Sequence, residues 1–332
     1  KQVSHLLYEQ LKLPVLEYTE KGKPSTSSET IEKLAKKHKE LATITRYRSV
    51  SSKISRIVDP VIKTVDSDGL LHTTFNIGLV DTGRLSSSNP NVQNIERDGE
   101  EKNYFISRFP GGRLVKADYG QFELRLCIIQ AQDPVFKRII DEGGDPHGST
   151  AKLFGVDRQI GKKINLAMAS GISPAGIHHN FGFPKSECER WHRGWFKEHP
   201  AIKKYHDLIC SRAQRFGYVE DLYGRRRHLP GAMSRDWQIQ KRAMNQVKNM
   251  PIQGGGANTI YLAMVRISAE LERRKMRSLI VLQIHDDIVI DCPSEEVKEV
   301  SDLVRKVMVK PFPNIFIPLD VDLCVGPSLA KD

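Results

Sequence analysis

Two apolar runs near the C-terminal end of the chain flank a short polar break. Leu279–Ile284 and Ile288–Ile290 are rich in β-branched residues, and His285, Asp286 and Asp287 separate them. Such a pattern predicts strand, tight turn, strand. Asp-Asp is also an ordinary turn sequence. The other possibility is a metal site, because two close carboxylates repel each other unless a cation lies beside them.

Further strands are predicted before and after this hairpin. Residues 113–118 are expected to form a strand that ends on Asp118, and residues 317–321 are expected to form a closing strand. Residues 61–65 and 70–75 flank an Asp-Gly turn and predict a second hairpin.

Helical periodicity occupies most of the remaining chain. It runs from residue 41 to 57, with an expected end near Pro60, and from residue 122 to about 218 with breaks at glycines and prolines. One more long helix is expected over 257–275, after Pro251. Early and late strands with helices between them predict an α+β fold.

The net charge and the cysteine content indicate what kind of partner the protein binds and in what kind of compartment it works. The 332 residues carry a net charge of +11 that is spread along the chain, which favours a polyanionic partner, nucleic acid before an acidic membrane face. Five widely spaced cysteines without a CxxC pair argue for a reducing compartment and against a disulfide framework or zinc site. No apolar run is long enough to span a membrane, and the start at Lys1 indicates a fragment or processed chain.

The acidic strand ends suggest a metal centre. If the strand that ends on Asp118 lies beside the 279–290 hairpin, then Asp118, Asp286 and Asp287 form a carboxylate cluster. Two Mg²⁺ ions would neutralise it and serve phosphoryl transfer, because Mg²⁺ binds through one or two carboxylates together with substrate phosphates.

A basic helix is the second candidate. Asp157 is a suitable N-cap, and Arg158, Lys162, Leu166 and Ser170 recur every four residues along one helix face. Two cations one turn apart near a helix N-terminus suit a triphosphate. Taken alone, these two cations would more simply be explained as a solvated basic helix face. If the helix lies beside the predicted carboxylate cluster, triphosphate binding becomes the favoured interpretation.

Several motifs occur in a defined order. They are DTGRLSSSNPNVQN at 81–94, DYGQFELR at 118–125, Arg158 with Lys162, YGRRR at 223–227, NMPIQG at 249–254 and QIHDD at 283–287. The chain resembles the family A DNA polymerases, of the bacterial DNA polymerase I type, over essentially its whole length. That resemblance implies a right-hand fold with an antiparallel palm sheet, helical fingers and a partial thumb.

The resemblance also implies residue roles. Asp118 and Asp286 are expected to bind two Mg²⁺ ions, for which Mn²⁺ can substitute, with the Tyr119 carbonyl and Asp287 as further ligands. Lys162 is expected to donate a proton to departing pyrophosphate. The expected nucleotide-binding residues are Arg158, Lys162, His147, Gln121, Glu123, Leu166 and Ser170. Glu123 would clash with a ribose 2′-hydroxyl. The expected DNA contacts are Arg84, Asn91, Gln93, Asn94, Asn249, Gln253, Gln283 and His285.

The family's layout carries over to this chain as four segments. Residues 1–60 would form a partial thumb and its connection, 61–121 the first part of the palm, 122–237 the fingers and 238–332 the second part of the palm. No segment of this chain corresponds to a proofreading domain.

The sequence departs from the family pattern at several positions. Leu166 stands where an aromatic residue is usual, Ser170 where Tyr is usual, and Asp287 where Glu is usual. Met244-Asn245 replaces a usual Glu-Arg pair. Loss of the Tyr ring predicts a looser base-pair pocket with reduced fidelity, and Leu166 predicts discrimination against dideoxynucleotides.

The expected function is template-directed addition of deoxynucleotides to a primer 3′ end. Primer-template DNA and deoxynucleoside triphosphates are the expected partners of a monomer that lies in a bacterial, virus-infected or organellar interior and is not secreted. Two alternatives stay open: a non-catalytic module that grips primer-template, and a polymerase that prefers RNA templates. A role in DNA replication and a role in DNA repair are both compatible with this sequence.

Overall fold

The computed structural model describes residues 2–96 and 99–330. Their Cα positions divide into two compact units. The first comprises residues 2–74 and 88–94, and the second comprises residues 75–87, 95–96 and 99–330. None of the helices in these described residues is both long and apolar enough to cross a membrane.

The first unit is helical. Its α-helices are Gln2–Ser4 (α1), Ser28–Ala35 (α2), Ala42–Lys53 (α3) and Asp59–Thr64 (α4). α1 continues into a wider π-helical turn over His5–Gln10. The side chain of Ser27 accepts a hydrogen bond from the Thr30 backbone N–H and so caps α2. A small core holds this unit together and consists of Leu7, Leu13, Ile31, Leu34 and Leu41.

The hairpin predicted over residues 61–75 is only partly correct. Helix continues past Pro60, which lies in the first turn of α4 directly after a π-helical segment over Ile54–Val58. Residues 61–64 are therefore helical. The predicted turn is present: the Asp66 carboxylate accepts from the N–H of Leu70 at 2.8 Å, and Gly69 takes φ +78°. Two short strands follow, Thr74–Asn76 (β1) and Ser86–Ser88 (β2).

The second unit alternates a sheet with helices. Its elements in chain order are β3 (Arg113–Gly120), α5 (Phe122–Ala131), α6 (Pro134–Asp141), α7 (Pro146–Phe154), α8 (Arg158–Ala169), α9 (Pro174–Phe181), α10 (Lys185–Glu198), α11 (Pro200–Phe216), β4 (Tyr218–Glu220), β5 (Arg226–His228), α12 (Trp237–Arg273), β6 (Leu279–Ile284), β7 (Asp287–Cys292), α13 (Val297–Val309) and β8 (Asp320–Gly326). The predicted helical stretch from residue 122 to about 218, with its breaks, is confirmed.

The main sheet is antiparallel with strand order β6-β7-β3-β8. Alternate residues of β3 point to opposite faces, so Val115, Ala117 and Tyr119 join the hydrophobic core while Asp118 lies on the other face. The predicted α+β class with an antiparallel sheet is confirmed. The closing strand begins at Asp320 and not at 317, because its pairing with β3 starts opposite Gly120.

The long helix α12 begins twenty residues before the predicted start at Ala257. It passes through Pro251, which is buried inside the helix. Gly254, Gly255 and Gly256 follow, and a Cβ on Gly256 would lie 3.1 Å from the Phe122 ring. Gly255 and Gly256 let α12 pack closely against α5, and that packing stabilises a helix that proline and glycine would otherwise disfavour.

Candidate active site

The two principal carboxylates lie at neighbouring strand ends. β3 pairs with β7 so that Asp118 is opposite Asp287. The turn between β6 and β7 consists of His285 and Asp286, and His285 takes the left-handed conformation with φ +55°. Non-glycine residues in this conformation are uncommon and concentrate at functional sites. The predicted hairpin therefore presents Asp286 beside the end of β3.

Asp286 is an unusual carboxyl group. Burial raises its pKa to about 6; Arg84 opposes this rise, while Glu123 and Asp118 add to it. Arg84 and Glu123 also form an ion pair of 3.6 Å. Four of the predicted site residues are therefore neighbours: Asp118, Asp286, Glu123 and Arg84.

The donor set at this turn fits a magnesium ion. Asp118 and Asp286 offer hard carboxylate oxygens, and their mutual repulsion would be relieved by a divalent cation. Over residues 2–96 and 99–330, no group of three or more His, Cys, Asp or Glu side chains is arranged to hold a metal by itself. Mg²⁺ suits such a sparse set, because it retains waters and substrate phosphate oxygens as ligands.

Helix α8 provides the basic row. Asp157 is its N-cap, and its carboxylate accepts from the N–H groups of Gln159 and Ile160 at 2.7 and 3.0 Å. Arg158 and Lys162 are exposed one turn apart, and Leu166 and Ser170 are half-buried further along the same face. The predicted cap and helix are confirmed.

Arg158 is held by a carboxylate that the sequence analysis did not single out. Its Nε donates to Asp145 at 2.6 Å and its Nη2 donates to the other oxygen at 3.3 Å. Burial would raise the pKa of Asp145, but Arg158 and the N–H groups of His147 and Gly148 outweigh it and hold that pKa below its usual value. Gln121 also donates to Asp145, at 3.3 Å. Because Gln121 follows the end of β3, this bond connects the carboxylate turn to the basic row.

His147 is buried beside the same residues. Burial lowers its pKa to about 4; Asp145 opposes this shift, and Arg158, Lys162 and Arg125 reinforce it. The imidazole is therefore neutral near pH 7. The predicted nucleotide-binding residues His147, Arg158, Lys162 and Gln121 thus lie together.

The C-terminal end of α8 has a tight cap. The N–H of Ile172 bonds to the Ala167 carbonyl and the N–H of Gly171 to the Met168 carbonyl, both at 2.9 Å, which is a Schellman motif. Gly171 is left-handed with φ +68°, and a Cβ there would overlap the Lys248 side chain. The Lys248 ammonium donates to the Gly171 carbonyl at 3.5 Å. Ser170, the helix C-cap, therefore lies beside a cation from α12.

The predicted DNA contacts fall into separate places. Gln283 is buried and its amide donates to the His285 carbonyl, so it supports the turn. Asn249 and Gln253 are half-buried one turn apart on α12, which packs against α5 and β6. Asn91, Gln93 and Asn94 belong to the first unit. The Asn91 side chain accepts from the Gln93 N–H at 3.1 Å, which is ordinary loop chemistry.

Two residues near the basic row of α8 were missed from the sequence. Asp145 precedes Pro146, a recognisable helix start, but its bonds to Arg158 and Gln121 depend on tertiary packing. Asn165 lies in the middle of α8, where asparagine is a poor helix former. That poor propensity was the available signal for a specific role.

Comparison with known proteins identifies the class. A sequence profile of DNA polymerase family A matches residues 1–331, and the chain belongs to that family. It is 34% identical over 342 residues to DNA polymerase I of Geobacillus stearothermophilus, covering 99% of this chain and 39% of that protein. It is 34% identical over 340 residues to the thermostable DNA polymerase I of Thermus aquaticus, covering 98% of this chain and 40% of that protein.

A solved structure agrees with this assignment. The POL domain of Pol1 from M. smegmatis, in complex with DNA primer-template and dNTP, matches with a TM-score of 0.87 and 28% identity, over 99% of this chain and 60% of that chain. This chain is therefore homologous to the polymerase domain of bacterial DNA polymerase I. It spans about two fifths of the length of the curated relatives that it matches.

Proposed function

We propose that this chain is a DNA-directed DNA polymerase domain that adds deoxynucleotides to a primer 3′ end. The observation that supports the proposal most strongly is the placement of Asp118 and Asp286 at adjoining strand ends, connected through Gln121 and Asp145 to the cationic row of α8. The substrate is then a deoxynucleoside triphosphate, and the product is a primer longer by one nucleotide, with release of pyrophosphate.

The carboxylates would bind magnesium. Asp118, Asp286 and the backbone carbonyl of Tyr119 are the proposed ligands, with Asp287 as a further candidate opposite Asp118. Two Mg²⁺ ions, or Mn²⁺ in their place, would supply neutralisation of charge at the attacking and leaving oxygens.

The triphosphate would lie along α8. Arg158 offers a planar fork of donors, Lys162 a mobile point charge and His147 a neutral N–H donor. Together the three side chains would recognise the orientation of the triphosphate as well as its negative charge. Lys162 is exposed near the start of α8, so its ammonium can reach departing pyrophosphate, to which it would donate a proton. Positioning and charge stabilisation supply most of the catalysis in such a reaction.

Glu123 would select the sugar. It lies in the first turn of α5 and its carboxylate is restrained by Arg84, so its position relative to the carboxylate turn is defined. A ribose 2′-hydroxyl would meet this side chain, whereas a deoxyribose would not. The proposed DNA contacts are Arg84, Asn91, Gln93, Asn94, Asn249, Gln253, Gln283 and His285.

The proposed organisation follows the family. Residues 1–60 would serve as a partial thumb, 61–121 and 238–332 as the palm and 122–237 as the fingers. The main sheet and its carboxylates fall in the two proposed palm segments, and helices α5–α11 in the proposed fingers.

Primer extension tests the proposal. A labelled DNA primer on a DNA template, with Mg²⁺ and one dNTP at a time, is expected to grow by one nucleotide with the base complementary to the template. A parallel RNA template decides between the two polymerase alternatives. Binding of primer-template without extension by any complementary nucleotide would overturn the proposal in favour of a non-catalytic module.

Ser170→Tyr is expected to improve base selection. A Tyr ring at the C-cap of α8 restores a packing surface for the nascent base pair that is worth about 1–3 kcal/mol, so we expect misinsertion to fall about tenfold or more. The measurement is the ratio of correct to incorrect single-nucleotide incorporation. Ser186→Tyr, at an exposed position of α10, is the matched control and should leave the ratio unchanged. Equal misinsertion by Ser170→Tyr and the unmodified chain would contradict the prediction.

A further inference from the structure

The side chain of Asn165 is fully buried in the middle of α8 and makes four hydrogen bonds. Its oxygen accepts from Trp195 Nε1 at 2.7 Å and from Thr150 Oγ1 at 2.8 Å. Its nitrogen bonds to the Pro146 carbonyl and to Nδ1 of His147, both at 3.1 Å. Every donor and acceptor of this amide is thus engaged.

Two of the partners fix the orientation of the amide. An indole N–H can only donate, so the atom that faces Trp195 is the amide oxygen. A backbone carbonyl can only accept, so the atom that faces Pro146 is the amide nitrogen. The reversed orientation would place oxygen against oxygen and N–H against N–H.

This orientation determines the state of His147. The Asn165 nitrogen donates, so Nδ1 of His147 must accept and carries no proton. The imidazolium and the other neutral tautomer both bear a proton on Nδ1, and that proton would oppose the amide N–H. A neutral ring with its proton on Nε2 satisfies the contact.

We propose that Asn165 is a positioning residue that holds His147 as a neutral Nε2–H donor to the triphosphate. The catalytic part of this inference rests on the proposed function. Asn165 touches no substrate itself and acts through the ring.

The surrounding charges agree with this assignment. The charged groups that face His147 are Arg125 from α5, Asp145 from the start of α7, and Arg158 and Lys162 from α8. Three cations and burial outweigh the one carboxylate and disfavour the imidazolium. Arg158 and Lys162 therefore supply charge for a bound triphosphate, and His147 supplies a directed hydrogen bond that does not change near neutral pH.

Nitrogen NMR on the full chain tests the tautomer without any enzymatic assay. With ¹⁵N-labelled histidine, and the His147 signals assigned by their loss in His147→Gln, we expect a neutral ring protonated on Nε2 from pH 6 to pH 8. A ring protonated on Nδ1, or one that titrates within that range, would overturn the proposal.

Asn165→Asp tests the consequence for the triphosphate. The introduced carboxylate still accepts from Trp195 and Thr150 but now also accepts from His147, so the Nδ1 proton is favoured. At pH 8.5 the Nε2 lone pair would then face the phosphate, and KM for the correct dNTP should rise about tenfold. The carboxylate raises the pKa of His147, so at pH 6 the imidazolium donates from both nitrogens and most of the increase should disappear.

Two further variants separate positioning from stability. In a His147→Ala background, Asn165→Asp should change KM less than twofold. Thr150→Val removes one bond to the same amide oxygen; it should lower Tm and leave KM unchanged, because Trp195 and Pro146 still orient the amide. A pH-independent increase in KM, or one that persists without His147, would refute the positioning role. An inactive chain with the Nε2–H tautomer would instead refute the proposed function alone.

Discussion

Asp286→Asn is expected to abolish primer extension, by more than about a thousandfold, and at the same time to stabilise the free protein. Loss of a metal-binding carboxylate removes several kcal/mol of stabilisation from the transition state. The gain in stability has a separate cause, which is the burial of an ionised Asp286 among Glu123 and Asp118.

The pH dependence of this effect has a definite sign. The Asp286 carboxyl has a pKa of about 6 in the folded protein, above the value of about 4 in an unfolded chain, so the folded state binds its proton more tightly. Its ionisation lowers the free energy of unfolding at pH 8 by up to about 3 kcal/mol. From this group, stability should rise as pH falls from about 7 towards 4.

Thermal unfolding with EDTA at pH 8 and pH 4 measures this. We expect Asp286→Asn to have the higher Tm at pH 8 and little advantage at pH 4, where the carboxyl is protonated in the folded protein and largely protonated in the unfolded chain. Asp302→Asn, on the exposed face of α13, is the matched control and should change neither Tm nor extension. A lower Tm for Asp286→Asn at pH 8 would contradict the electrostatic account of this turn.

Lys162→Met is expected to slow nucleotide incorporation about 10²–10³-fold, the usual effect of removing one preorganised donor from a developing charge. The adjacent Lys163 provides an internal control, because its ammonium lies over the rings of Phe181 and Phe183, at 5.9 and 5.8 Å. Lys163→Met should therefore lower stability by about 0.5–1 kcal/mol and change incorporation less than about threefold.

Single-turnover incorporation with saturating DNA measures both variants. The expected result is a large difference between two neighbouring lysines of the same charge and similar exposure. Similar losses in the two variants would mean that α8 contributes a diffuse positive field, and the specific role of Lys162 would be wrong.

Local patterns predicted the parts of this site that depend on local forces. The β-branched runs around His285 and Asp286 predicted a hairpin because each strand is mostly apolar and rich in β-branched residues. Asp157 gave the start of α8 because its carboxylate caps the adjacent N–H groups. Both features need no information from distant residues.

Tertiary packing accounts for the failures. Pro60 was taken as a helix end and Pro251 was placed before the start of a helix. Pro60 instead lies in helix that continues from a π-helical segment, and Pro251 lies within a helix held by close packing on α5. The bonds of Asp145 to Arg158 and Gln121, and those of the Asn165 side chain, join residues that are 13 to 30 positions apart. No local periodicity encodes such contacts.

The most direct test is the rate of single correct-nucleotide incorporation with Mg²⁺ by the unmodified chain and by Asp286→Asn, with primer-template binding followed in parallel. We predict rapid extension by the unmodified chain, none by the variant, and equal DNA binding by both. Extension by Asp286→Asn at an undiminished rate would contradict the assignment of the catalytic centre to the turn between β6 and β7.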